Sequence, residues 1–223
     1  QGADVIKIYS NNTPNVTALS VEEMQAIVKE AHRYGVRVTA HATDNQAVYN
    51  AVISGVDGIE HGYHVEDSTF ELMAKKGVVF IPTDGDSVTC MQYVKLSSPN
   101  NIDMGKKILE YQKYLGTRLR RAIKKGVTIV AGSDDYQDFK MPFAEPSKRT
   151  LIGYFESGMT IPEILKAATI NAARQLNWSN EIGIIKTGFL ADIIAVDNDL
   201  DKNINAVLNV HFVMKDGKVY VNN

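Results

Sequence analysis

A single cysteine, Cys90, stands in 223 residues, so no internal disulfide can form. Any metal ligand must then be His, Asp, Glu or Lys. An excess of one charge is also missing: 24 Lys and Arg face 26 Asp and Glu, a formal net charge of −2. That balance gives no electrostatic reason to expect nucleic acid or an anionic membrane as partner. No apolar run approaches the roughly 18 to 20 residues that a membrane span needs. Neither G-x-G-x-x-G nor a P-loop occurs, which argues against an open doubly wound nucleotide-binding sheet. The chain opens on Gln1 rather than Met and enters a strand-like run within a few residues. It is therefore read as cut from a longer protein, and its compartment stays open.

What is present reads as repeated strand-and-helix units. Residues 5–9, 36–40, 58–60, 78–81 and 127–131 are short β-rich runs. Helical segments separate them. Ser20 and Glu23 form a capping box, followed by Met24, Ile27, Val28 and Ala31 on one face. Further helices are expected over 45–54, 68–76 and 104–125, several of them ended by glycine. Strands joined by single helices favour parallel pairing through right-handed crossovers. The expectation is α/β: a partial (β/α)8 TIM-type barrel over 1–182, since a closed barrel of about 250 residues needs three more units. Thr160 and Glu163 open a helix running towards Gln175. Residues 193–196, 207–214 and 218–221 read as strands of a small β appendage over 183–223, the last two joined by the Asp216-Gly217 turn. The basic run Arg118, Arg120, Arg121, Lys124 and Lys125 reads as a solvated helix face.

The ionisable residues fall at telling places. Lys7 lies within the first run, His41 directly after the second, His61 directly after the third and Asp134 just after the fifth. Parallel α/β folds gather their chemistry at C-terminal strand ends. Two imidazoles suit a borderline cation such as zinc, and a carboxylate adds charge and a base. A lysine in an apolar strand is costly without a task or an exit to solvent. A neutral amine there can take up CO2 as a carbamate. Each residue alone has a plain structural explanation; their joint occurrence is what points to a site.

The segments GADVIK (2–7), VTAHA (38–42), GIEHG (58–62), AGSD (131–134), ATINAA (168–173) and GFLADI (188–193) occur in this order. With them the chain resembles the amidohydrolase superfamily, in its imidazolonepropionase-like and Xaa-Pro dipeptidase-like branch. The resemblance implies a metal-dependent hydrolase acting on an amide-type C–N bond of a small-molecule or dipeptide-like substrate. It implies a carboxylated Lys7 bridging two divalent ions, zinc first among the candidates. His41 and His61 would bind the second ion, and Asp134 would bind the first and shuttle protons. Tyr9, Tyr63, His64, Thr83 and Tyr136, near strand ends, are candidates for substrate contacts. The family's remaining ligands form an His-x-His pair, and no two of the five histidines are two apart.

Two rivals remain. One is a single-metal imidazolonepropionase- or deaminase-like enzyme, which would not use the bridging lysine. The other is a catalytically incomplete fragment that needs a partner segment or self-associates, since open sheet edges invite pairing.

Overall fold

The computed structural model describes residues 2–12, 16–136, 138–197 and 199–223. Two units divide the chain. The first comprises Gln1–Pro82, Arg118–Val130 and Asn171–Trp178; the second comprises Thr83–Thr117, Ala131–Ile170 and Ser179–Asn223.

In the first unit β1 (Val5–Tyr9) leads into a short antiparallel pair, β2 (Asn11–Asn12) and β3 (Val16–Thr17). Then follow α1 (Val21–Arg33), β4 (Arg37–Asp44), α2 (Asn45–Ser54), β5 (Gly58–His64), α3 (Asp67–Lys76) and β6 (Val79–Ile81). The strands β1-β4-β5-β6 form one sheet, parallel throughout. Local chemistry fixes the helices between them. Ser20 Oγ accepts from Glu23 N at 3.2 Å while Glu23 Oε2 accepts from Ser20 N at 2.7 Å, so the capping box forms. Met24, Val28 and Ala31 are the buried face of α1. Asp44 caps α2 by accepting from Ala47 N at 2.9 Å. The core draws Val38, Ala40 and Ile59 from the strands and Val48, Val52, Phe70 and Met73 from the helices, all fully buried.

The expected fifth strand is weaker than the others. Residues 127–131 join the sheet through one parallel bridge, Phe80 to Ile129. Phe80 N donates to Thr128 O and Val130 N donates to Phe80 O, each at 2.9 Å. Val79, Ile81 and Val130 pack as one apolar cluster, with Ala172 against it.

The second unit departs more from expectation. Two helices were not foreseen, α4 (Ser87–Ser97) and α6 (Glu145–Glu156); α5 (Ile102–Lys124) begins here and continues into the first unit. The helix opened by the Thr160–Glu163 capping box is broken at Thr169 into α7 (Ile161–Ala168) and α8 (Ile170–Gln175). Thr169 there has φ −122° and ψ −93°, outside the helical region. Residues 204–208 form a 3₁₀ turn, so the strand expected from 207 begins at Val210. It is β8 (Val210–Lys215), central in an antiparallel sheet with β7 (Ile193–Val196) and β9 (Lys218–Asn222). The hairpin turn holds: Asp216 and Gly217 both have positive φ, 49° and 75°. Among the described residues, no helix is long and apolar enough to cross a membrane.

Candidate functional site

Strand alternation decides which side chains can share a face. Lys7 pairs with Thr39, and Tyr9 pairs with His41, which pairs with Glu60. These residues lie on one face of the sheet; Ile8, Ala40, Ala42 and Ile59 lie on the other and are buried. By alternation His61, paired with Ala42, would point away from His41. It does not. His61 has φ +70° and Gly62 φ +51°, so the backbone turns left-handed and the pleat is interrupted. The His61 ring meets the His41 ring edge to face with centroids 4.5 Å apart. A left-handed conformation costs a residue with a Cβ about 1–2 kcal/mol. At Gly62 a Cβ would stand 2.8 Å from Phe80 Cε2, so glycine is required there.

Aromatic rings flank the two imidazoles. Tyr9 stacks on His41 with centroids 4.8 Å apart, and Tyr63 lies 5.6 Å from His61. Lys7 Nζ is 5.5 Å from the Tyr9 ring centre and forms an ion pair with Glu60. Thr39 Oγ1 donates to the other Glu60 oxygen at 2.5 Å. Lys7 thus has both things a strand lysine requires, a counter-charge and an exit, with its side chain 35% exposed.

His61 is 3% exposed. Burial, then the neighbouring His41, pulls its pKa down to about 4; Lys7 and Arg118 act in the same direction and Glu60 opposes them. The imidazole is therefore neutral at pH 7, the form whose nitrogen can hold a cation or accept a proton.

The α5 residue Arg118 corrects the reading of its run as a solvated face. It is 1% exposed, and its guanidinium donates to the carbonyls of His61 and Gly62, the latter at 3.0 Å. It also lies over the rings of Phe80 and Tyr63, at 5.0 and 5.9 Å. Further along the helix, Arg121 pairs with Asp67, and Lys125 with Glu71 and Asp67. Arg121 on α5 and Lys125 just beyond it stay 37% and 25% exposed, so of the basic run only Arg118 is buried.

The structure thus brings together Lys7, Tyr9, His41, His61 and Tyr63. His64 is exposed at the end of β5, opposite Asp44. His32 and His211 lie elsewhere, hydrogen-bonded to Asp57 at 2.8 Å and Asp197 at 2.5 Å. Thr83, Asp134 and Tyr136 belong to the second unit. Thr83 and Asp134 have φ +60° and +51°, and Tyr136 N donates to Asp134 O at 3.1 Å. Asp135 and Tyr136 line an open cleft of about 410 Å³ with Phe139, Met141, Pro142 and Phe143. Among the described residues, no three or more His, Cys, Asp and Glu side chains gather as a metal-holding group. Sequence reasoning missed Glu60, Thr39 and Arg118. For Glu60 a signal existed, a carboxylate on a strand two places from a strand lysine.

Comparison with known proteins gives the setting of this geometry. The Amidohydrolase family profile matches residues 2–220. Ochratoxinase of Aspergillus niger is 27% identical over 241 residues, covering 99% of this chain and 47% of that protein. The imidazolonepropionase of Thermoanaerobacter pseudethanolicus is 28% identical over 183 residues, covering 81% of this chain and 39% of that protein. The crystal structure of a Xaa-Pro dipeptidase with bound methionine is similar with a TM-score of 0.83 at 28% identity. That match covers 99% of this chain and 55% of the dipeptidase. The chain spans about half the length of these relatives, or less. The parallel sheet with its intervening helices is the amidohydrolase-type α/β fold, consistent with part of a barrel.

Proposed function

Because the chain belongs to the amidohydrolase family, we propose that it is a metal-dependent hydrolase cleaving a carbon–nitrogen bond of amide or peptide type. The observation that carries this reading is the meeting of His41 and His61, which the left-handed backbone at His61 makes possible. The superfamily generally uses divalent metals, and ochratoxinase, imidazolonepropionase and Xaa-Pro dipeptidase act on C–N bonds.

The two imidazoles fit a shared cation. Each would offer a ring nitrogen, and their ring centres are 4.5 Å apart. Lys7 would serve as a carboxylated, bridging ligand if Glu60 gives way and the amine loses its proton. A divalent ion held by these residues would supply Lewis-acid chemistry, making bound water more acidic and polarising a substrate carbonyl. Asp134 would be the acid–base group, taking a proton from water and giving it to the departing amine. Tyr9 and Tyr63 offer apolar walls beside the reacting group. The substrate class is a small amide or dipeptide, and zinc is the first metal to test.

A second reading has its own support. The Lys7–Glu60 ion pair occupies the lysine, which favours a single ion on the histidine pair. Metal analysis decides between them. The purified protein, assayed with Xaa-Pro dipeptides and N-acyl amino acids, should lose hydrolysis with a chelator and regain it with zinc. His41→Asn and His61→Asn should lose bound metal. Full metal retention in both variants would overturn the proposal.

A further inference from the structure

We infer that Arg118 is a positioning residue for the metal-binding reading of His61, holding the left-handed His61–Gly62 turn so that the imidazole faces His41. The inference rests on the proposed function for what His61 does, and on geometry for the rest. A β-strand that kept its pleat would carry His61 to the buried, apolar face. Only the two positive φ values, 70° and 51°, bring the ring back. The Gly62 φ relates the two peptide groups whose carbonyls Arg118 binds, those of His61 and Gly62, and the first of these groups directly follows the His61 Cα.

The anchor is packed at both ends. Its guanidinium is held over the Phe80 ring and close to the Tyr63 ring. Arg118 is fully buried on α5 between Thr117 and Leu119, the latter fully buried too. A planar fork with several fixed N–H donors suits two adjacent carbonyls; an ammonium on a flexible stem suits them less. Outer partners that orient a ligand change metal affinity or activity by about 10–100-fold when removed. The same peptide units carry His61, so loosening them moves the ring rather than merely softening the core.

The test titrates Co(II) into metal-free protein and follows both the visible absorption spectrum and the dissociation constant. Arg118→Met keeps an apolar stem and removes the donors; Arg118→Lys keeps the charge. Arg118→Met should weaken Co(II) binding by about 10–100-fold and alter the spectrum, and Arg118→Lys should recover part of the loss. Wild-type affinity and spectrum in both variants, with affinity lost in His61→Asn, overturn the positioning role alone, whatever happens to the thermal midpoint. Wild-type affinity in His61→Asn instead removes the metal reading of His61, and the role of Arg118 with it. Should Arg118→Met fail to fold, the Lys variant decides: weakened binding supports the inference and unchanged binding overturns it.

Discussion

Lys7 on β1 and Glu60 on β5 form an ion pair that reaches across β4, where Thr39 donates to the second Glu60 oxygen. The side chains are 35% and 17% exposed, so water screens the pair. Its contribution to stability should be about 1 kcal/mol or less. A bridging role is far more demanding. Lys7→Ala should abolish hydrolysis and remove one metal equivalent per chain, while urea unfolding of the metal-free protein shifts little. An unchanged metal count, read by elemental analysis, would leave the single-ion reading standing.

Asp134 tests proton transfer separately from backbone strain. Its φ is +51°, and asparagine tolerates that region as well as aspartate does. Asp134→Asn should therefore leave the fold intact and remove the carboxylate proposed as the base. The turnover number should fall by about 10²–10⁴-fold, with the thermal midpoint close to wild type. A turnover number within a few-fold of wild type would exclude Asp134 from the chemistry.

Much of the first unit was legible because several of its elements carry agreeing signals. The helix expected over about 45–54 is found as Asn45–Ser54, with Asp44 capping its start and Gly55, at φ +93°, ending it. The helices α4 and α6 lacked such agreement. Ala144, at the start of α6, has left-handed φ and makes no side-chain cap, which leaves Glu145 and Pro146 as the start signals of that helix. At the site, sequence position singled out Lys7 within a strand and His41 and His61 near strand ends, and the structure brings these three side chains together. Sequence position could not show how His61 leaves the alternation, since a left-handed histidine has no composition cue. Arg118 was hidden for a similar reason: a run of basic residues on a helix reads as one surface, yet one of them points inward to two carbonyls.

Gly153 tests the packing of the second unit. A Cβ there would stand 2.8 Å from the carbonyl carbon and oxygen of Gly85 and 2.9 Å from Asp86 N, all backbone atoms. Asp86 cannot move freely: it caps α4 by accepting from Thr89 N at 2.8 Å and accepts from Arg149 Nη1 at 2.9 Å. Gly153→Ala should destabilise the protein by about 1–3 kcal/mol, read as a lower urea midpoint. A midpoint equal to wild type would mean that α6 and the 85–86 segment are free to part.

Cys90 links the same region to alkaline pH. Burial, then Asp86, Asp84 and Glu156 in that order, raise its thiol from 9.0 to about 11. Between those values the unfolded chain loses the proton and the folded chain keeps it. The thiol's contribution is therefore fully present below pH 9 and declines as pH rises towards 11, by up to about 2 kcal/mol. Tyrosines and lysines titrate in the same range, so the readout is a difference. Urea midpoints of wild type and Cys90→Ala should converge, or reverse order in favour of Ala, as pH rises through that window. Parallel midpoints across it would place the thiol in contact with water, and rapid alkylation by iodoacetamide at pH 8 would then accompany them.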